Sequence, residues 1–190
     1  TFQIPNANAF ADPAFPYGSV LTLKKDGTPW FIGTVSQEQA SATSRREQHG
    51  YIVSGPWWQL GRLVFQQLRC VKSEDFATTD SEYSTRVVLG QSDVGLRLTT
   101  TEQISAVLTY ALTKGVSLAA GMIIDGFAFP YQEARDITCA EAIIRMARRT
   151  PDAVSWFDYS SGAAVLNFAR RDSLTAASQD LTAGVAAESV

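Results

Sequence analysis

Histidine and cysteine are scarce in this chain. Its 190 residues include one histidine, His49, and two cysteines, Cys70 and Cys139. Two cysteines are too few for a disulfide framework, and neither has the spacing of metal ligands, so a reducing compartment is the easier interpretation. The first turn of a helix could activate the Cys139 thiol, but His49 is the single candidate for its acid-base partner. We therefore expect a structural strand histidine, a buried packing role for Cys139, and no metal or cofactor.

Charge of one sign and long apolar runs are also lacking. Sixteen basic and 19 acidic residues are mixed along the chain, for a net charge of -3. This balance predicts no basic surface patch of the kind that binds nucleic acid, so sequence-specific nucleic-acid binding is not expected. No run approaches the roughly 18 apolar residues typical of a membrane-spanning helix, and the first residues do not resemble an export signal. Membrane insertion is not expected either.

Familiar catalytic motifs are missing as well. The chain has no G-x-G-x-x-G, Walker A, G-x-S-x-G or H-E-x-x-H run. Glu133, Asp136 and Asp158 could supply a carboxylate pair for glycoside hydrolysis, but a chain with 19 acidic residues offers many such pairs. An acidic loop lacks the ligand spacing of an EF-hand; its members are Glu74, Asp75, Asp80 and Glu82. We expect a protein that is not an enzyme.

A helix followed by a strand is predicted twice between residues 99 and 170. Thr99 with Glu102, and Thr138 with Glu141, both match the capping box, in which each side chain satisfies the other residue's backbone N–H. Apolar residues at helical spacing follow each box. Short β-type segments come next, at residues 116–118 and 154–157.

The first half of the chain is predicted to be a β-meander. Asp26-Gly27 separates two apolar segments and supplies the positive φ angles of a tight hairpin turn. A polar stretch at residues 36–46 leads into a further strand at 48–53. A second hairpin is predicted at residues 154–168.

One helix is predicted between these halves, at residues 56–69. Pro56 suits its first turn, and Trp57, Leu60 and Val64 recur at helical spacing. Apolar side chains cover so much of its circumference that it should contact protein on more than one side. Interface centres are rich in aromatic residues and arginine. The candidate interface residues are Trp57, Trp58, Arg62, Phe65 and Arg69.

Two local signatures point to a known family. One is T-P-W-F-I-G-T-V at residues 28–35, followed by G-P-W-W-Q-L at 55–60. The other is E-A-R-D-I-T-C-A-E-A-I-I-R-M at 133–146, which continues to P-D-A-V and F-D-Y at 151–159. Over about residues 18–170 the chain resembles the tail-hub proteins of bacteriophages and prophages, the baseplate family that includes the late-control protein D type.

This resemblance implies a fold, a location and partners. It implies a homo-oligomeric, trimeric ring of tube-like β-barrels with helical elaborations, placed between the tail tube and the spike or tip. The protein would then belong to a virion and be assembled in the bacterial cytoplasm. The resemblance transfers no catalytic residue, and the chain lacks a recognisable spike or lysozyme portion.

The expected fold class is α+β, a β-barrel or meander of tube-like hub type with inserted helices and a duplicated helix-strand unit. Residues 1–98 should form the β-rich barrel portion, residues 99–170 the duplicated portion, and residues 171–190 a linker or a strand continuing into a longer chain. Structural assembly is the first functional hypothesis. The alternative is a carbohydrate-binding or glycan-hydrolysing domain that uses exposed tryptophans and acidic side chains.

Overall fold

Strands dominate the first half of the molecule, and helices alternate with strands in the second. The computed structural model describes residues 1–5, 12–43, 46–72, 79–92, 95–123, 127–128, 130–171 and 174. Within these ranges the chain forms eleven strands and three helices, which confirms the predicted α+β class. The predicted linker or strand at 171–190 lies almost wholly outside the described residues.

The N-terminal sheet is antiparallel and curled. Its strands are β1 (Phe2–Pro5), β2 (Val20–Lys25), β3 (Thr28–Thr43) and β4 (Arg46–Ser54), in the order β1-β4-β3-β2. Asp26 and Gly27 have φ angles of 50° and 79° in the β2–β3 turn, as a type I′ turn requires. The predicted hairpin is confirmed.

The polar stretch after residue 35 is a strand and not a loop. β3 continues to Thr43 and pairs with β4 throughout, apart from a register shift between Val35 and Gln37. Backbone pairing along a hairpin does not require apolar side chains. A strand that buries neither face therefore shows no alternation of polar and apolar residues in its sequence. A bulge at the shift increases the local twist, which contributes to the curl of the sheet.

The helix between the halves is shorter than predicted. Helix α1 spans Pro56–Arg62, and the chain then forms strand β5 (Gln67–Lys72). The prediction of a helix over residues 56–69 was therefore wrong. Its last turns are replaced by a pairing in which Phe65 N donates to Ile137 O at 2.8 Å and Cys139 N to Leu63 O at 2.8 Å.

The second half places its strands between and beside two helices, α2 (Thr100–Thr113) and α3 (Cys139–Arg149). Two strand pairs stand apart, β5 with β6 and β7 with β9, and β10-β11-β8 form a three-stranded sheet. The remaining strands are β6 (Thr79–Ser84), β7 (Arg86–Leu89), β8 (Ala119–Ile123), β9 (Gln132–Arg135), β10 (Ala153–Asp158) and β11 (Val165–Arg170). The β10–β11 pair confirms the predicted second hairpin.

The repeated order of helix and strand is present, but the two units join the sheet differently. Strand β8 follows α2 and lies parallel to β11, whereas β10 follows α3 and lies antiparallel to it. The two strands therefore flank β11 and run in opposite directions. The first of them spans Ala119–Ile123 and does not overlap the segment predicted at residues 116–118, so the position of that prediction was wrong.

The two helix starts are also unequal. At α2 the capping box is complete, since Thr99 N donates to Glu102 Oε2 at 2.8 Å and Glu102 N to Thr99 Oγ1 at 3.3 Å. At α3, Glu141 N donates to Thr138 Oγ1 at 3.1 Å, but the Glu141 carboxylate accepts from Arg145 at 2.6 Å. Only half of the second predicted box forms.

The main hydrophobic core lies between α2, α3 and the strands beside them. Buried side chains from both sides of residue 98 contribute to it. Its fully buried members include Leu60, Val87, Ile104, Ile143, Met146 and Phe168. Leu60 anchors helix α1 to this core. The face of α1 opposite the core is therefore held in a defined orientation.

The unequal caps lead to a testable difference in stability. Thr138→Ala should lower the free energy of unfolding by about 1 kcal/mol, because it removes a formed N-cap bond. Glu141→Ala should cost roughly 0.2–0.5 kcal/mol, the usual contribution of an i,i+4 ion pair, and less at high salt. Urea denaturation at low and high salt measures both, with Glu102→Ala as the matched control. A Glu141→Ala loss equal to that of Glu102→Ala would contradict the assignment.

Candidate functional site: a concave surface around Trp58

Helix α1 begins because of its backbone and not because of a polar cap. Gly55 is its N-cap residue and Pro56 occupies the first turn, where the missing N–H is no loss. Gln59 then ties the helix to two other parts of the fold. Its Nε2 donates to Thr34 Oγ1 on β3, and its Oε1 accepts from Ser117 N at 3.2 Å in the segment after α2. These bonds hold the outer face of α1 in one orientation.

Trp58 and Arg62 lie together on that outer face. The Arg62 guanidinium lies 4.7 Å from the centre of the Trp58 ring, within the range of a cation–π contact. Arg62 Nη1 also donates to Tyr17 Oη at 2.6 Å. The arginine is thus oriented by two aromatic side chains, although it is exposed to solvent.

A cavity of about 320 Å³ opens beside this pair, and we call it the Trp58 pocket. Its lining consists of Tyr17, Trp58, Gln59, Arg62, Leu63, Lys114, Gly115 and Val116. Two of these residues are cationic and none is acidic. The lining therefore combines aromatic area with uncompensated positive charge.

Lys114 supplies the second charge. Its Nζ lies 5.4 Å from the centre of the Tyr110 ring and 5.8 Å from that of Tyr83. Lys114 is the C-cap residue of α2, and its backbone N–H donates to carbonyls of the last turn. A cation at a helix C-terminus is favoured by the helix dipole. Both cations of the Trp58 pocket are therefore exposed but positioned by contacts with aromatic rings.

The other three predicted interface residues lie elsewhere. Trp57 is half-buried and packs against the core, with its ring 6.3 Å from that of Phe157 and nearly perpendicular to it. Phe65 is 4% exposed and meets the Tyr110 ring edge-on at 5.4 Å. Arg69 is half-buried on β5. The interface role predicted for Phe65 is corrected, because it assumed a helix that ends three residues earlier.

Two members of the Trp58 pocket were missed from the sequence. Tyr17 belongs to an irregular segment rich in proline and glycine, where no periodicity marks a contact. Lys114 had a weak signal, since a cation before a glycine is common at the end of a helix. Only the tertiary fold brings these two residues to Trp58.

His49 and Cys139 both have structural surroundings. His49 is 3% exposed on β4, stacks on Tyr51 at 6.2 Å, and places Nδ1 3.7 Å from Glu38 Oε1. Cys139 is fully buried, and this burial raises the pKa of its thiol to about 12. A thiol with such a pKa is protonated at neutral pH and is a poor nucleophile. The predicted packing role of Cys139 is confirmed.

Two of the acidic residues considered for chemistry, Glu133 and Asp158, have structural partners. Arg86 donates two hydrogen bonds to Glu133 and holds the pKa of that carboxyl at about 2. Asp158 accepts from Ser160 N at 2.8 Å, which lowers the pKa of its carboxyl. Of the polar loop predicted at residues 72–85, Glu74 and Asp75 lie outside the described residues, whereas Asp80 and Glu82 belong to strand β6, so the loop prediction was wrong there. Asp136 adopts a left-handed backbone conformation with φ 53°.

Among the described residues, no group of three or more His, Cys, Asp or Glu side chains is arranged to hold a metal ion. No helix in the described ranges has the length and apolar character needed to cross a membrane.

The chain was compared with models of protein families, with curated proteins and with solved structures, and none of them matches. Its function is therefore argued from its own residues. In the Trp58 pocket, aromatic area, two positioned cations and a cavity coincide.

The surroundings of Cys139 predict its reactivity. In a Cys70→Ser variant, which leaves one thiol, an excess of a thiol reagent at pH 8 should label the folded protein far more slowly than the urea-unfolded protein. Burial and a pKa of about 12 both oppose formation of the thiolate. The unfolded variant is the control for reagent and pH. Labelling of the folded protein at the unfolded rate would contradict a buried Cys139.

Proposed function

We propose that this chain is a structural component of a phage or phage-like tail, a baseplate hub that joins the tail tube to the spike or tip and acts by assembling into a ring. The Trp58 pocket is the main support for an assembly role. Trp, Tyr and Arg are the residues most enriched among those that dominate binding energy, and Arg62 contacts both Trp58 and Tyr17 there.

The charge of the pocket suits a partner with acidic groups. Arg62 and Lys114 provide two cations without an acidic lining residue, while the whole chain has a net charge of -3. A second copy of the chain therefore has acidic groups to offer. Contact between unlike surfaces of successive copies generates a ring when the rotation closes.

The open edges of the N-terminal sheet also support assembly. In the described part of the chain, β1 and β2 each pair with a strand on one side only. Val20 and Leu23 on β2 are 53% and 41% exposed. Natural proteins usually protect such an edge or pair it. Strands from neighbouring copies would extend the curled sheet toward the tube-like barrel that the hub resemblance implies.

A carbohydrate-binding role is the second candidate, and one observation favours it. Trp30 is 69% exposed on the β2–β3 hairpin. An exposed flat aromatic face can stack on a sugar ring. A change in tryptophan fluorescence with oligosaccharides, abolished by Trp30→Ala and retained in Trp58→Ala, would support this role over assembly.

The assembly proposal predicts concentration-dependent self-association. Light scattering coupled to gel filtration should show a closed oligomer, a trimer on the hub resemblance. Trp58→Ala and Arg62→Gln should each weaken association by about 30-fold, since loss of a dominant interface residue costs about 2 kcal/mol. Both substitutions remove contacts that lie at the pocket surface and leave the core side chains in place.

Matched controls come from exposed residues on other elements. Trp156→Ala on β10 and Arg148→Gln on α3 change the same residue types at exposed positions outside the Trp58 pocket. They should leave association unchanged. Circular dichroism checks that every variant folds. A monomeric mass for the unmodified chain up to high micromolar concentration would reject the proposal.

A further inference from the structure

A second cavity, of about 250 Å³, lies apart from the Trp58 pocket, and we call it the Arg69 cavity. It is bordered by Arg69 on β5, Arg86 on β7, and the residues that follow β7. The lining residues relevant here are Arg69, Arg86, Gln91, Ser92 and Tyr131. None of them belongs to the Trp58 pocket.

The position of Arg69 is set by its neighbour in the strand. Gln67 Oε1 accepts from Val88 N at 2.8 Å, and Gln67 Nε2 donates to Val88 O at 3.2 Å. These two bonds fasten β5 beside β7. Side chains two residues apart in a strand share a face, so Arg69 extends on the same side as Gln67 and reaches the cavity.

The second arginine of the cavity is already neutralised. Arg86 Nε donates to Glu133 Oε1 at 2.6 Å, and Arg86 Nη2 donates to Glu133 Oε2. Tyr131 Oη donates to the same carboxylate at 3.0 Å. This pair has no net charge, and its donors are directed at Glu133. Among the lining residues that the structure describes, Arg69 therefore carries the one charge without an ion-pair partner.

Arg69 has donors that nothing in the described part of the chain accepts. Its Nε and Nη2 are both buried, and neither has a hydrogen-bond partner among the described residues. A buried donor without an acceptor costs free energy, and a charged one costs more than a neutral one. An acceptor with negative charge placed in the cavity would remove this cost.

We propose that the Arg69 cavity binds a carboxylate group. One planar guanidinium matches the two oxygens of one carboxylate, and a single net positive charge suits a monoanion. Ser92 Oγ accepts from Leu96 N at 3.1 Å, which leaves its hydroxyl hydrogen for the ligand. The nearby Glu133 carboxylate opposes a dianion such as phosphate. This inference does not depend on the proposed tail role.

The carboxylate can come from a free small acid or from an acidic side chain of a protein. Acetate represents the first source. A blocked Gly-Asp-Gly tripeptide, acetylated and amidated so that the side chain is its one carboxylate, represents the second. Tighter binding of the tripeptide than of acetate assigns the site to a protein side chain, and the reverse order assigns it to a free acid.

Thermal denaturation of the full chain at pH 7 and constant ionic strength tests the proposal. Acetate or the tripeptide should raise the melting temperature with increasing concentration relative to chloride, because a ligand that binds the folded state stabilises it. Phosphate should do so less. Arg69→Met should weaken carboxylate binding about tenfold or more, as expected when a charged hydrogen bond is lost. Arg148→Met on the exposed face of α3 should leave the effect intact.

Nuclear magnetic resonance of the arginine Nε–H groups provides a readout on the unmodified chain itself, and a variant is needed only to assign the signal. Acetate should shift the Arg69 Nε–H signal, identified by its loss in Arg69→Lys, and leave that of Arg148 in place. Without ligand, Arg69→Met should be at least as stable as the unmodified chain, since it removes an unpaired buried charge. An unshifted Arg69 signal, or a carboxylate effect that persists in Arg69→Met, would overturn the proposal.

Discussion

Two backbone hydrogen bonds between residues 63–65 and 137–139 determine how the halves of this protein fit together. Phe65 N donates to Ile137 O, and Cys139 N donates to Leu63 O, both at 2.8 Å. The second bond satisfies one of the first N–H groups of α3, which have no acceptor within their own helix. The same three-residue pairing therefore ends α1 and supports the start of α3. Neither event is local to its own helix.

This pairing explains why the predicted interface residues are divided among different surroundings. If α1 had continued, Trp58, Arg62 and Phe65 would lie along one helix face at the i, i+4 and i+7 positions. Because α1 stops at Arg62, the first two remain at the surface and Phe65 turns into the core beside Tyr110. Arg69 is then placed on β5 at a separate cavity. One change of backbone direction thus separates the Trp58 pocket from the Arg69 cavity.

Features of the fold that depend on residues close together in the sequence were predictable. The Asp26-Gly27 turn needs positive φ angles, and few residue pairs supply them. The Thr138 cap and the strand after α3 follow from short-range patterns of the same kind. Features that depend on distant partners were not predictable. Residues 36–43 form a strand because β4 lies beside them, and the Glu141 carboxylate turns to Arg145 instead of its own cap.

The same division applies to the sites. Trp58 and Arg62 are four residues apart, so a helix of any length over them brings them together. Tyr17 and Lys114 reach the Trp58 pocket only through the tertiary fold. The unpaired donors of Arg69 are likewise a property of packing, because the Glu133 carboxylate beside its cavity is occupied by Arg86. The sequence identifies Arg69 and Arg86 as cations, but it does not show that Arg86 is paired and Arg69 is not.

The most direct test of this account is native-state amide hydrogen exchange at Phe65 and Cys139. If their two bonds join the halves, both amides should exchange only through global unfolding, with the same free energy of opening as the slowest amides in the middle of α2. The amide of exposed Ser161, in the turn between β10 and β11, provides the fast reference within the same sample. Exchange of Phe65 and Cys139 by local opening, at a free energy well below that of α2, would show that the pairing is peripheral and would contradict the account.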